Sequence, residues 1–243
     1  MAGDKQTWLE SQAEFYRHKL QEGREVFDTG PYTTMIRGEW LRFIKSFMFD
    51  GAAILDVGCG DGWQSRWLAE QGAGRVVALD LTPSFIVRAR SLTPAHLLDK
   101  ITYVCCGVED YRSDPTFDVV VMKDIFEHLF EPQKAMETIA DLITESSVVL
   151  IQTCNRRRLR NTLWSLVGQS KISPAHFKEY TPGELTEILR ESGFTVDEMV
   201  GLGFLPGVGR LRKGHEQLFA LDLWLGQNVP GLAGGIMAAC RKA

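Results

Sequence analysis

The residues best equipped for chemistry fall in two short blocks and one isolated position. The first block is Gly58-Cys59-Gly60-Asp61-Gly62, which directly follows the apolar run Ile54-Leu55-Asp56-Val57. Three alternating glycines let a backbone come close to a ligand, and a helix starting near Trp63 would aim its free N–H groups at the same place. Asp80 ends the next apolar run, about 20 residues on, where a carboxylate can accept hydrogen bonds from both hydroxyls of a ribose. The spacing is G-x-G-x-G. A dinucleotide fingerprint, G-x-G-x-x-G, would need glycine where this chain has Trp63. A nucleoside-bearing ligand therefore fits the pattern, and an ordinary dinucleotide fits it poorly.

The second block follows Phe117–Met122 and contains Lys123, Asp124, Glu127 and His128. If a helical turn begins near Asp124, its carboxylate, Glu127 and His128 stand at i, i+3 and i+4 and share one face. Two carboxylates and an imidazole there could do acid–base work or hold a divalent cation; the alternative is that they simply stabilise the loop. His176 is the isolated position. Imidazole ordinarily titrates near neutral pH, which makes it a workable general base, and a packing role is the competing reading.

The elements that must position these groups are readable from periodicity. Short β-type runs at 53–57, 75–80, 101–105, 117–122 and 147–153 alternate with helical patterns near 63–71, 83–92 and 132–144. Alternation of this kind means a parallel sheet with crossover helices, and unbroken apolar runs mean a sheet covered on both faces. The glycine turn, Asp80 and the 123–128 block then all lie at the carboxyl edge of the sheet, where open α/β sheets bind ligands.

Upstream, Trp8, Leu9, Phe15, Tyr16 and Leu20 have loosely helical spacing, and Ile36, Trp40, Phe43, Ile44 and Phe47 form a helical stripe. These two helices, with Tyr32, are expected to cover the site and wall the substrate. Residues 155–180 read as irregular. Thr181, Pro182 and Glu184 form a capping box opening a helix with core face Leu185, Ile188 and Leu189, closed by Gly193. Two strand candidates, 194–200 and 234–242, flank an apolar helix at 215–226, whose Phe219, Leu221 and Trp224 are further wall candidates.

Composition narrows the class. At 243 residues, 44% hydrophobic and 24% charged, the chain is expected to form a single domain: helical cover 1–50, binding core 51–153, insertion 154–180, and closing helix and strands 181–243. A net charge of −4 argues against nucleic acid as partner. Five cysteines without C-x-x-C spacing indicate neither a disulfide framework nor a structural zinc site. The first residues lack a signal-peptide apolar run, so the expected location is cytoplasmic.

The glycine turn with its acidic partner resembles motif I and the following acidic motif of the class I S-adenosylmethionine (SAM)-dependent methyltransferases. The resemblance implies a Rossmann-like α/β fold, a seven-stranded, mostly parallel sheet with an antiparallel last strand. It implies SAM as cofactor and S-adenosylhomocysteine as product. Gly58, Gly60 and Gly62 would line the methionine and ribose portion, Asp80 would hold the ribose hydroxyls, Leu81 would flank the adenine, and Val108 and Glu109 would contact it. Arg37 lies close to where such enzymes bind the SAM carboxylate. Asp56, Cys59, Asp61 and Lys123 complete the cofactor-binding candidates.

More narrowly, the 117–132 block, Thr153-Cys154-Asn155-Arg156, His176–Tyr180, Pro182–Leu185 and Gly201–Pro206 are similar to the ubiquinone-biosynthesis O-methyltransferases. That similarity implies a metal site at Asp124, Glu127 and His128, taking a divalent ion such as Mg²⁺, and membrane contact through the insertion. Arg156, Arg157, Arg158 and Arg160, then Leu163, Trp164, Leu166 and Val167, make residues 156–167 the candidate surface. The expected reaction is methyl transfer to an oxygen of a small apolar or aromatic acceptor, with His176 or His128 assisting deprotonation. Small-molecule N-methylation and a non-catalytic SAM-binding regulator are the alternatives.

Overall fold

A computed structural model describes residues 7–8, 10–12, 14–15, 30–114, 116–165, 176–208 and 214–243. Seven strands form one sheet in the order β3-β2-β1-β4-β5-β7-β6. They are β1 (Ala53–Val57), β2 (Arg75–Asp80), β3 (Ile101–Cys105), β4 (Phe117–Lys123), β5 (Ile143–Cys154), β6 (Phe194–Leu202) and β7 (Gly235–Lys242). The pairings β1·β2, β1·β4, β2·β3 and β4·β5 are parallel, while β7 runs antiparallel between β5 and β6. The seven-stranded, mostly parallel Rossmann-like sheet with an antiparallel last strand that the resemblance implies is therefore present.

Successive strand residues point to opposite faces, and both faces are apolar. Leu55, Val57, Val77, Leu79, Val120 and Met122 belong to one core cluster; Ile54, Val76, Ala78, Val119 and Val121 belong to the other. Helices α4 (Pro132–Asp141) and α6 (Pro182–Glu191) cover the first face with Met136, Ile139, Leu185 and Leu189. Helices α1 (Pro31–Lys45), α2 (Trp63–Glu70) and α3 (Pro83–Leu92) cover the second with Trp40, Ile44, Leu68 and Ile86.

Several expectations change. Trp40 is 0% exposed inside the second core, so it braces the sheet instead of walling a substrate. The strand β5 begins at Ile143, because Ile143 pairs with Phe117 across a bulge in β4·β5, and α4 accordingly stops at Asp141. The stretch read as irregular contains a short helix, α5 (Leu159–Ser165). On α7 (Glu216–Asn228), Phe219 is buried, but Leu221 and Trp224 face outward. Leu9, Tyr16, Leu20, Leu166 and Val167 lie outside the described residues.

The ends of the insertion are tied together. Asn155 and Tyr180 form an isolated parallel bridge, Arg156 N donates to Tyr180 O, and the buried Asn155 amide donates to the carbonyls of Pro230, Gly231 and Ala233. This returns the chain to the sheet edge immediately before α6. There the capping box forms as read: Thr181 Oγ1 accepts from Glu184 N, and Glu184 Oε2 accepts from Thr181 N. Thr181→Ala is expected to cost about 1 kcal/mol, lowering the thermal unfolding midpoint by about 2–4 °C for a chain of this size; unchanged calorimetry would show that the cap carries no stability.

Candidate active site

The turn after β1 is built on left-handed backbone. Gly58, Gly60 and Gly62 have φ of 73°, 54° and 77°, values that L side chains rarely adopt. At Gly62 the packing alone would exclude a side chain, since a Cβ would lie 2.5 Å from Tyr103 Oη and 3.0 Å from Ala89 Cβ. Gly58 N and Cys59 N both donate to Leu79 O at 2.8 Å, which locks the turn to the end of β2.

Asp80 completes the cradle. Its Oδ2 accepts from Gly60 N at 2.9 Å and its Oδ1 from Thr82 N at 2.8 Å, so the carboxylate is oriented by backbone on both sides. Each oxygen keeps a further lone pair for another donor. Burial raises the Asp80 carboxyl and these backbone bonds work against that rise. In the turn after β3, a Cβ on Gly107 would lie 3.0 Å from Glu109 Oε2 and 3.4 Å from Leu81 Cδ2. Leu81 and Glu109 thus meet around Gly107, while the Val108 side chain is buried in the core. Arg37 stacks on Trp63, its Cζ 4.6 Å from the ring centroid, and so brings a cation beside the glycine turn.

Two candidates from the turn act from behind it. Asp56 is fully buried and accepts from Gln64 Nε2 at 2.8 Å and Ser65 Oγ at 2.6 Å, while Gln64 accepts from Trp40 Nε1. Burial pushes the Asp56 carboxyl up to about 6, against the pull of those two donors. Its role is to anchor α1 and α2 beneath the turn. The Cys59 side chain likewise packs into the core, and burial drives its thiol far up. Asp61 accepts from Trp63 N through Oδ1 and from Arg66 through its carbonyl, shaping the start of α2.

The block after β4 is arranged differently from its expected helical face. Asp124 has a φ of 52° and donates its N–H to Gln152 O, extending the β4·β5 edge. Only Phe126–His128 form a short helical turn. The Asp124 carboxylate is taken by Lys123 Nζ and Gln152 Nε2. The groups that converge are instead Glu127, His128 and His176, whose donor atoms lie within 4.8 Å of one another. Two imidazoles and one carboxylate are not the oxygen cage that Mg²⁺ takes, so this cluster does not fit that ion.

Glu127 is 1% exposed and accepts from Thr153 Oγ1 at 2.7 Å. Burial, and then the charge of Asp124, push its carboxyl up to about 7. Its carbonyl accepts from Phe177 N and Lys178 N, which brings the His176 loop to the β4 edge. The His128 and His176 rings meet edge to face with centroids 5.2 Å apart. Above them the N-terminal helical segment closes down: Trp8 Nε1 donates to His128 O, Gln12 Oε1 faces His128 Nδ1, and Trp8 and Phe130 both pack on Phe177.

Sequence reading missed several residues that hold this site. Glu179 is fully buried, faces His176 Nδ1 and pairs with Arg158; the His-x-x-Glu spacing at 176–179 was the available signal. Asp222, also fully buried, accepts from Tyr32 Oη and from the backbone of Phe204 and Leu205, joining α1, α7 and the chain after β6. Nothing local marks it. Of the insertion's arginines, Arg156 pairs with Glu184 and Arg158 turns inward, while Arg157, Arg160, Leu163 and Trp164 remain exposed. Among the described residues no helix is long and apolar enough to cross a membrane.

A doubly covered α/β sheet with a left-handed glycine turn and a ribose-spaced carboxylate at its carboxyl edge defines a nucleoside-binding enzyme of the Rossmann-like kind. Comparison with known proteins gives the class: residues 32–199 match the methyltransferase domain family, and the chain belongs to it and is a SAM-dependent methyltransferase. It is 30% identical over 174 residues to the ubiquinone biosynthesis O-methyltransferase of Xanthomonas euvesicatoria pv. vesicatoria, covering 67% of this chain and 70% of that one. The enzyme of the same name from Hydrogenovibrio crunogenus is 27% identical over 228 residues, covering 83% and 92%. In structure, the chain is similar to the N-methyltransferase NodS from Bradyrhizobium japonicum in complex with S-adenosyl-L-homocysteine, with a TM-score of 0.66 at 15% identity over 95% of this chain and 98% of that one.

Asp80→Asn is expected to weaken S-adenosylhomocysteine binding by about 2 kcal/mol, roughly thirty-fold, because it removes a charged acceptor. Isothermal titration calorimetry on folded variant would measure it; wild-type affinity would remove Asp80 from the ribose.

Proposed function

We propose that the chain methylates a hydroxyl oxygen of a small apolar or aromatic acceptor, with His176 as general base and SAM as methyl donor. The observation that carries this reading is the convergence of His176, His128 and the buried Glu127 under the aromatic cover of Trp8, Phe130 and Phe177, at the sheet edge shared with the glycine turn. The names of the relatives, O-methyltransferases at 27–30% identity, support it.

When bound, SAM would supply a sulfonium methyl group for in-line transfer to a nucleophile, with S-adenosylhomocysteine as the leaving group. The chain's task is to hold donor and acceptor in contact and keep water out. Gly58, Gly60 and Gly62 would allow the close backbone approach, Asp80 would take the ribose hydroxyls, and Leu81, Glu109 and the backbone of Val108 would border the adenine. Arg37, stacked on Trp63, is placed to meet the carboxylate of the methionine portion. His176 takes the acceptor's hydroxyl proton as the oxygen becomes nucleophilic, with His128 beside it. The aromatic cover gives a flat apolar acceptor its surface and dries the pocket.

The experiment is S-adenosylhomocysteine release with catechol-type hydroxyl acceptors set against small primary amines. His176→Ala should lower turnover of the hydroxyl acceptor by about 10²- to 10⁴-fold while leaving S-adenosylhomocysteine affinity unchanged. A chain that methylates the amines alone, and does so undiminished by His176→Ala, would be an N-methyltransferase and would overturn the reading.

A further inference from the structure

Glu179 lies in the loop between His176 and the capping box of α6, and its side chain is fully buried. A buried carboxylate is costly unless it is paired and hydrogen-bonded. Glu179 has both kinds of partner: Arg158 Nη1 lies 2.9 Å from its Oε2, Arg158 Nη2 lies 3.1 Å from its Oε1, and His176 Nδ1 lies 2.9 Å from Oε1. Burial works to raise the Glu179 carboxyl, but the bonds from His176 and Arg158 outweigh it and hold the group below the usual carboxylate range.

An ionised carboxylate accepts hydrogen bonds and cannot donate them. The 2.9 Å contact therefore requires the proton on His176 Nδ1 and leaves Nε2 as the basic nitrogen of the neutral ring. When Nε2 gains a proton, the positive charge that forms on the ring is next to a fixed negative one. Stability alone does not account for the arrangement, because replacing a buried ion pair with apolar side chains of similar size is often neutral or stabilising. An acceptor-only partner for Nδ1 is something an apolar pair could not supply.

Resting on the reading of His176 as general base, we propose that Glu179, held by Arg158, is the positioning residue that fixes the tautomer and orientation of His176. The ends of the insertion serve the same purpose. The Asn155–Tyr180 bridge and the bond from Arg156 N to Tyr180 O return the chain so that Arg158, near the start of the insertion, meets Glu179, near its end.

The test uses the full chain with S-adenosylhomocysteine bound. Nitrogen-15 NMR of the neutral imidazole, assigned by its loss in His176→Asn, should show His176 as a single Nδ1–H tautomer. Glu179→Gln alone would strand Arg158, so the variant is the double substitution Arg158→Met with Glu179→Leu, which removes both charges and keeps the volume. It should shift the ring toward the Nε2–H tautomer and lower kcat for a hydroxyl acceptor by at least about ten-fold, with KM for SAM within about two-fold. In a His176→Ala background the same double substitution should cost no further activity, whereas a purely structural role would make the losses add. A wild-type ring protonated on Nε2, a tautomer that ignores the double substitution, or additive losses would each overturn the proposal. A shifted tautomer with full activity in His176→Ala would instead overturn the general-base reading and leave Glu179's hold on the ring in place.

Discussion

Backbone conformation at three glycines governs the arrangement of everything at the carboxyl edge. With φ positive at Gly58, Gly60 and Gly62, the chain reverses within five residues between β1 and α2. That reversal points Gly60 N at Asp80 and frees the start of α2 for a ligand. The turn is stabilised from both ends: Leu79 O accepts two of its N–H groups, and Asp56 beneath it gathers Gln64 and Ser65 from α2. Because Gln64 in turn accepts from Trp40, the packing of α1 on the sheet is coupled to the geometry of the cofactor cradle.

This coupling explains why α1 belongs to the core and still serves the site. Its inner face, Trp40, Phe43 and Ile44, is buried against the sheet. Its N-terminal half carries Arg37 to Trp63 and Tyr32 to Asp222. Asp222 also accepts from the backbone of Phe204 and Leu205, and the missing Cβ of Gly203 would lie 2.3 Å from Tyr32 Oη, so the hydroxyl occupies space that only glycine leaves open. One helix thus couples the cradle on one side of the edge to the closing segments on the other.

The elements legible in the sequence were those whose signal is local. The β-type runs, the glycine spacing, Asp80 and the Thr181–Glu184 capping box all depend on residues within a few positions of one another, or on strand ends that the alternation of elements fixes. What could not be read depends on partners far along the chain. The shared face of Asp124, Glu127 and His128 assumed a helical turn starting at Asp124, but the bond from Asp124 N to Gln152 O, set by β-pairing across 28 residues, holds Asp124 in a left-handed conformation outside that turn. His176 entered the cluster in its place because Phe177 N and Lys178 N bind the Glu127 carbonyl, a contact across about fifty residues that no spacing rule contains. Trp40 looked like a substrate wall because an aromatic stripe has the same periodicity whether it faces a core or a cavity.

Four acids with almost no exposed surface, Asp56, Glu127, Glu179 and Asp222, sit around this one edge, and their environments differ in ways that assign them different work. Asp56 has only neutral donors and is pushed up by burial, as suits an anchor whose charge nothing needs. Asp222 takes two backbone N–H groups and a tyrosine hydroxyl, the partners of a structural joint. Glu127 has one hydroxyl donor and the charge of Asp124 nearby, and both burial and that charge favour its protonated form. Glu179 alone faces a guanidinium and is held ionised. Two carboxyl groups pushed in opposite directions, each near the same imidazole, give His176 an asymmetric environment, with the lowered acid against Nδ1 and the raised one on the side of His128.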